Sequence, residues 1–163
     1  MATPTSIAFV CLGNICRSPT AKGVMQHLVD DARAGDRILV DSFGTAAYHL
    51  GEPPDSRAGA EARRRGITLD HLGQQFTPAD FDRFDLVLAM DRSNAEDLRR
   101  IAPDEAAAAK VRLLREWDPD AGGDLEVPDP YYGGGDGFAR VFDMVERSCR
   151  ALLIELTEAS EGR

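Results

Sequence analysis

Four short apolar runs, most of them leading into a helical pattern, constrain the fold of this chain more than any other feature. They predict strands at 6–10, 38–43, 86–90 and 111–114, and helices at 18–33, 54–66, 91–101 and 138–156. Strands that alternate with helices predict a parallel sheet with right-handed crossovers, and therefore an α/β fold in three layers. No internal repeat or linker-like segment divides the sequence, so we expect residues 1–163 to form a single domain.

The loop after the first predicted strand carries the residues with the clearest chemistry. Cys11 follows the apolar run 7–10, and Arg17 lies six residues further on, next to Ser18-Pro19. A loop of this kind can turn its backbone N–H groups toward a tetrahedral anion at a helix N-terminus. Cys11 is then placed to attack, and the planar guanidinium of Arg17 matches two phosphoryl oxygens. The same groups favour the reactive thiolate form of the cysteine.

The other residues of this loop are compatible with anion binding. They are Leu12, Gly13, Asn14, Ile15 and Cys16. Gly13 permits a close backbone approach and a positive φ, and Asn14 is one of the few residue types that tolerate the left-handed region. Ser18 is predicted to cap the following helix with Pro19 at its first position, and its hydroxyl can also stabilise the departing thiolate. The Cys–Arg spacing by itself is weak, because a buried cysteine at the end of a core strand produces the same pattern.

Phosphate-ester hydrolysis also needs a general acid, and Asp129 is the best candidate in the sequence. Prolines on both sides stiffen its loop, and Tyr131 and Tyr132 offer an aromatic wall beside a pocket. From spacing alone, an ordinary turn explains the same residues equally well. Asp118 also precedes a proline but lacks the tyrosines, and it ranks well below Asp129.

Composition narrows the possible partners and the cellular location. The net charge of −9 and the pI of about 4.8 argue against binding to nucleic acid or to anionic membranes. Three cysteines and an N-terminus without signal-peptide features predict a reducing, cytoplasmic compartment, with signal-less export left open. Cys149 falls in the apolar stripe of the last predicted helix and is expected to be inert. We expect a monomer, with weak dimerisation through the active-site face left open.

Four segments together resemble the low-molecular-weight protein tyrosine phosphatases, in the order and spacing of that family over nearly the whole chain. They are CLGNICRSP at 11–19, DSFGTAAYHLGEPPDSR at 41–57, LAMDRSN at 88–94 and DPYYG at 129–133. The resemblance implies a flavodoxin-like fold with a four-stranded parallel sheet. It also implies a cysteinyl-phosphate intermediate and neither a metal nor an organic cofactor.

The resemblance assigns catalytic roles position by position. It implies that Cys11 is the nucleophile, Arg17 the phosphate clamp, Ser18 the hydroxyl that assists the thiolate, and Asp129 the general acid and base. It also implies that Cys16 forms a disulfide with Cys11 under oxidation, which protects the nucleophile from irreversible oxidation.

The resemblance also assigns supporting residues and partners. Asn14 matches a loop residue held in the left-handed conformation, with Ser42 and His71 as the partners that hold it. The residues that shape the substrate pocket are implied to be Tyr48, His49, Tyr131 and Tyr132. The implied substrates are proteins that contain phosphotyrosine. Because tyrosines of the matching DPYY loop are phosphorylated in related proteins, a cognate tyrosine kinase is a further implied partner.

Three alternative functions remain open at the level of sequence. Phosphoarginine phosphatases carry a threonine at the position of Ile15. This chain has only an apolar side chain there, which favours phosphotyrosine as the substrate. Thioredoxin-coupled arsenate reductases need two further cysteines near residues 80–90, where this chain has none. A non-catalytic phosphotyrosine-binding module has no need of Cys11 or Asp129.

Overall fold

The computed structural model describes residues 3–161 and contains the alternating strands and helices that the sequence predicts. The strands are β1 (Thr5–Cys11), β2 (Ile38–Gly44), β3 (Leu86–Ala89) and β4 (Val111–Leu113). The helices are α1 (Arg17–Asp31), α2 (Ser56–Arg64), α3 (Arg92–Ile101), α4 (Glu105–Ala108) and α5 (Gly137–Glu161). The sequence did not predict the short helix α4 or the two 3₁₀ turns, which occupy Pro78–Asp82 and Leu114–Trp117.

The four strands form one parallel sheet in the order β2-β1-β3-β4, which confirms the predicted fold class. β1 lies inside the sheet, where Cys11 pairs with Gly44 of β2 and Val10 pairs with Ala89 of β3. In parallel sheets of this kind, ligands bind beyond the carboxyl ends of the strands. Cys11 is the last residue of β1 and therefore stands at that edge.

Helices cover both faces of the sheet and give it two apolar cores. On one face, Ile7 and Phe9 of β1 pack with the buried sides of α1 and α5. On the other face, Ala8 and Val10 pack with α3, α4 and a group of phenylalanines. Alternate residues of β1 point to opposite faces, so the strand is buried on both sides and reads as a continuous apolar run.

The start of α1 differs from the prediction. The helix begins at Arg17, its N-cap residue is Cys16, and no side chain caps it. The predicted cap by Ser18 is therefore wrong, and Pro19 occupies the third helical position rather than the first. The physical reason is that the Ser18 hydroxyl contacts Asn14, Phe43 and Cys11 instead of the helix N-terminus.

The ends of the other helices follow the sequence signals more closely. Asp55 caps α2 and Asp91 caps α3, each through its side chain. Gly66 follows α2 with a φ of 78°, which only glycine adopts at little cost. Within the described part of the chain, no helix is long and apolar enough to cross a membrane.

Candidate active site

The loop 12–16 wraps around the Cys11 side chain at the carboxyl end of β1. Asn14 has a φ of 61°, and its backbone N–H points at the Cys11 sulfur with an N–Sγ distance of 3.3 Å. Gly13 does not have a positive φ, although the sequence analysis gave that freedom, together with close backbone approach, as a property of a glycine in this loop. A Cβ there would lie 3.2 Å from the ring of His49, so a larger residue fits only if that ring shifts.

Four hydrogen bonds hold the Asn14 side chain, which is buried. Its amide nitrogen donates to the hydroxyls of Ser18 at 2.9 Å and Ser42 at 2.6 Å. Its amide oxygen accepts from His71 Nε2 at 2.8 Å and from the backbone N–H of Gln74 at 2.9 Å. Ser42 and His71 therefore lie at the positions that the resemblance implied, and they fix the left-handed turn of the loop.

His71 is held as a neutral imidazole with its proton on Nε2. Nε2 donates to Asn14, whereas Nδ1 lies 3.0 Å from Lys22 Nζ, which can only donate. Burial, and then the positive charge of Lys22, lower the pKa of His71 to about 4. Lys22 was not identified from the sequence, in which it is one polar residue on a helix.

The Ser18 hydroxyl lies 3.0 Å from Cys11 Sγ and 3.1 Å from the carbonyl oxygen of Phe43. It accepts a hydrogen bond from Asn14, so its own proton is available to either of the other two atoms. Ser18 is fully buried, and Cys11 is 2% exposed. This arrangement allows the hydroxyl to donate to a thiolate sulfur when one is present.

Arg17 connects the loop to two distant parts of the chain. Its side chain is 3% exposed, and Nη1 donates to Asp91 at 2.6 Å and to the carbonyl oxygen of Val127 at 3.0 Å. Nη2 lies 3.7 Å from the Asp129 carboxylate. Burial alone would lower the pKa of Arg17, but the Cys11 sulfur and the Asp91 carboxylate raise it, so the guanidinium stays charged.

Asp91 and Ser93 are the two residues that the sequence offers as a cap for the third predicted helix, and the structure gives Asp91 that role and a second contact. One carboxylate oxygen accepts from the backbone N–H of Asn94 and caps α3, while the other accepts from Arg17. Asp91 follows β3, the neighbour of β1, so its position at the same edge of the sheet was the available signal. The Val127 carbonyl carried no such signal, because a backbone acceptor has no sequence signature.

Asp129 faces the loop across the pocket mouth with its carboxylate 39% exposed. One oxygen accepts from the backbone N–H of Tyr131 at 3.0 Å, which leaves the other directed toward Arg17. The Tyr131 ring packs edge-on against Tyr132 and also contacts the guanidinium of Arg57. The stacking with Arg57 steadies one aromatic wall of the pocket.

Most of the predicted site residues line one cavity of about 190 Å³, whereas Ser18, Ser42 and His71 contact Asn14 and do not line it. Its walls are Cys11, Leu12, Gly13, Asn14, Ile15, Cys16, Arg17, Tyr48, His49, Asp129, Tyr131 and Tyr132. His49 Nδ1 lies 2.8 Å from a carboxylate oxygen of Glu52, which orients its ring at the rim. Two larger grooves among the described residues, one of about 370 Å³ between α1 and residues 66–71 and one of about 410 Å³ beside α2, are lined by no cysteine.

The two other cysteines differ from Cys11 in their surroundings. Cys16 lies in the same pocket, and burial, followed by the negative charge of Asp55, raises its pKa to about 12. Cys149 is fully buried in α5 and its pKa is raised by that burial. Both are therefore neutral thiols, and all three cysteines are unpaired. Asp118 lies away from the pocket and pairs with two arginines, so it is not part of this site.

The parallel α/β sheet carries at its edge an anion-binding loop around a cysteine, with an arginine and a carboxylate beside it. This combination defines a class of protein suited to phosphate-ester chemistry. A family model described as low molecular weight phosphotyrosine protein phosphatase matches residues 6–161.

Known proteins support the same assignment. A low molecular weight protein-tyrosine-phosphatase from Streptomyces coelicolor is 51% identical, with 96% of each chain covered. A solved protein tyrosine phosphatase from Entamoeba histolytica superposes with a TM-score of 0.90 at 38% identity, covering 96% of this chain and 99% of that one. The solved Drosophila arginine phosphatase superposes with a TM-score of 0.85 at 32% identity, covering 91% and 96%. This chain belongs to the low molecular weight phosphotyrosine protein phosphatase family.

Proposed function

We propose that this protein is a protein tyrosine phosphatase that hydrolyses phosphotyrosine and aryl phosphates through a cysteinyl-phosphate intermediate. The observation that carries the proposal is the convergence of Cys11, Arg17 and Asp129 on one small pocket from three separate segments of the chain. A binding module requires neither a nucleophile nor an acid, so this combination favours catalysis.

In the first step the Cys11 thiolate attacks phosphorus, and an S–P bond forms as the bond to the phenolic oxygen breaks. Protonated Asp129 gives its proton to that oxygen, so tyrosine leaves as the neutral phenol. The backbone N–H groups of the loop and the guanidinium of Arg17 bind the phosphoryl oxygens. Since Arg17 Nη1 already serves Asp91 and Val127, we assign phosphate binding to Nε and Nη2.

In the second step a water molecule attacks phosphorus, and Asp129, now a carboxylate, takes the proton. The S–P bond breaks, inorganic phosphate is released and the Cys11 thiolate returns. The Ser18 hydroxyl, 3.0 Å from Sγ, donates to the sulfur as negative charge develops on it. Water is the acceptor of the phosphoryl group, and the cycle needs no oxidant or reductant.

The preference for phosphotyrosine over phosphoarginine rests on the walls of the pocket. Ile15 lines it with an apolar side chain that offers no hydrogen bond to a guanidinium, and Tyr48, Tyr131 and Tyr132 surround the mouth with aromatic rings. The aromatic rings can pack on a phenyl ring, and it is the apolar Ile15 that makes the pocket less suited to a guanidinium group. A phosphoarginine phosphatase is the alternative, because one structural relative carries that name.

We further propose that the partners are proteins containing phosphotyrosine and a cognate tyrosine kinase. Tyr132 is 92% exposed and Tyr131 is 39% exposed, so Tyr132 is the more accessible target for a kinase. A cytoplasmic location, a monomeric state and a single domain over residues 1–163 remain predictions of the sequence.

The proposed mechanism is tested with phosphotyrosine, phosphoserine and phosphoarginine peptides and with phenyl phosphate. Cys11→Ser should abolish turnover of all substrates, and Asp129→Ala should slow phenyl phosphate hydrolysis by roughly 10²–10⁴-fold. Asp136→Ala is the matched control, because its carboxylate is exposed outside the pocket. Activity that survives Cys11→Ser contradicts the mechanism, and a preference for phosphoarginine contradicts the substrate assignment.

A further inference from the structure

Arg115, Asp118 and the partly exposed Arg147 form an ion cluster beside the segment that leads to Asp129. The Asp118 carboxylate is fully enclosed and accepts from Arg115 Nε at 3.0 Å and from Arg147 Nε at 3.0 Å and Nη2 at 3.2 Å. The backbone N–H of Asp120 donates to it at 2.9 Å. Burial alone would raise the pKa of Asp118, but these hydrogen bonds lower it overall, so the carboxylate is ionised.

Arg115 has a second set of contacts that Arg147 does not share. Its Nη1 donates to the carbonyl oxygen of Glu126 at 2.8 Å and lies 3.4 Å from the Asp124 carboxylate. The Arg115 side chain is only 4% exposed. A single guanidinium therefore joins Asp118, at the start of an irregular segment, to Glu126 near its end.

The backbone after Glu126 leads to Asp129 in three residues. Val127 is fully buried, its N–H donates to the carbonyl of Met90 at 2.8 Å, and its own carbonyl accepts from Arg17. Pro128 then fixes its own φ near −65°. Little freedom remains between the anchored backbone and the Asp129 carboxylate, so the grip on Glu126 helps to set where that carboxylate lies.

A role in stability alone does not account well for a buried arginine at this place. Removing a guanidinium from water costs free energy, and apolar replacements of buried ion pairs are often neutral or stabilising. We propose that Arg115 is a positioning residue that holds the Glu126 carbonyl and thereby places Asp129 over the leaving oxygen. The inference rests on the proposed function, because it takes Asp129 as the general acid.

The test compares Arg115→Met with Arg147→Met on two substrates that differ in their need for an acid. Phenyl phosphate releases phenol, whose pKa of about 10 is like that of tyrosine, so its departure needs a proton. The 2,4-dinitrophenolate ion is a much weaker base and leaves without one. Arg115→Met should lower kcat/KM for phenyl phosphate by about 10-fold or more, a part of what a general acid contributes. The dinitrophenyl substrate should change by less than about 2-fold. Arg147→Met breaks the same ion cluster without freeing Glu126, and it should affect both substrates equally.

A double substitution shows whether Arg115 acts through Asp129. In an Asp129→Ala background, Arg115→Met should have no further effect on phenyl phosphate, because the group that it positions is gone. Equal losses on both substrates, or the same substrate dependence for Arg147→Met, would overturn the inference. If Arg115→Met does not fold, Arg115→Gln, which reaches only one of the two partners, is measured in the same way.

The same measurements separate this inference from the proposed function. If Asp129→Ala slows the hydrolysis of phenyl phosphate and of 2,4-dinitrophenyl phosphate equally, the assignment of the general acid is wrong. If Asp129→Ala shows the dependence and Arg115→Met does not, the acid assignment holds and only the positioning role is wrong.

Discussion

Replacing Asn14 with alanine removes the side chain that fixes the phosphate-binding loop. The amide makes four hydrogen bonds, to Ser18, Ser42, His71 and the backbone of Gln74, and the residue has a φ of 61°. Each hydrogen bond contributes about 1 kcal/mol, and alanine costs about 1 kcal/mol more at this φ. We therefore expect the free energy of unfolding to fall by about 4–5 kcal/mol, a large part of the stability of an ordinary domain.

Urea denaturation, followed by circular dichroism, measures this loss, and Asn14→Gly is the matched variant. Glycine also lacks the amide but adopts the positive φ without strain, so it should be about 1 kcal/mol more stable than alanine. Because the backbone N–H of Asn14 points at Cys11, kcat/KM of the folded alanine variant should fall by about 10–100-fold at low temperature. A loss of stability below about 1 kcal/mol, or alanine as stable as glycine, would refute the reasoning.

Three further predictions concern pH, oxidation and backbone conformation. Because the pKa of His71 is about 4 in the folded state and about 6.5 when unfolded, its contribution is complete above pH 6.5 and is lost as the pH falls toward 4. Between pH 6.5 and pH 4, the free energy of unfolding measured by urea titration should fall by about 2–3 kcal/mol less in His71→Gln than in the wild type. Peroxide should oxidise Cys11 to a sulfenic acid, which condenses with the Cys16 thiol to a disulfide and releases water. The Cys16→Ser variant should therefore recover less activity than the wild type on treatment with dithiothreitol. Gly66→Ala, at a φ of 78°, should lower the free energy of unfolding by about 1 kcal/mol, whereas Gly35→Ala, with open space and no positive φ, should not.

Local sequence was sufficient wherever the residues that act together are neighbours in the chain. Cys11 and Arg17 could be identified together because one loop carries both, and the strand before it has an unbroken apolar run. The parallel sheet followed from the alternation of strand and helix patterns, and the structure confirms it. Asp129 became a candidate because the chemistry of the first loop needs an acid; its own prolines and tyrosines fit an ordinary turn equally well.

Local sequence patterns did not predict the contacts between residues that are far apart in the chain. The serine and proline after Arg17 have the letters of a helix start, but the Ser18 hydroxyl bonds to a loop that only the folded chain brings near. Asp118 could be ranked below Asp129, but nothing in its surroundings predicted two arginine partners, one of them 29 residues away. The link from Arg17 to the Val127 carbonyl ends on a backbone atom, which every residue possesses.

The interior position of β1 implies that the two halves of the catalytic apparatus differ in their resistance to local opening. Cys11 ends a strand that is hydrogen-bonded to neighbours on both sides, and amides in such strands exchange with solvent only when most of the structure opens. Asp129 lies on an irregular, partly exposed segment, which belongs to the less protected part of a protein. On warming, the protein should therefore lose the position of Asp129, its proposed proton donor, before that of Cys11, its proposed nucleophile, and pass through a state that no longer releases tyrosine efficiently.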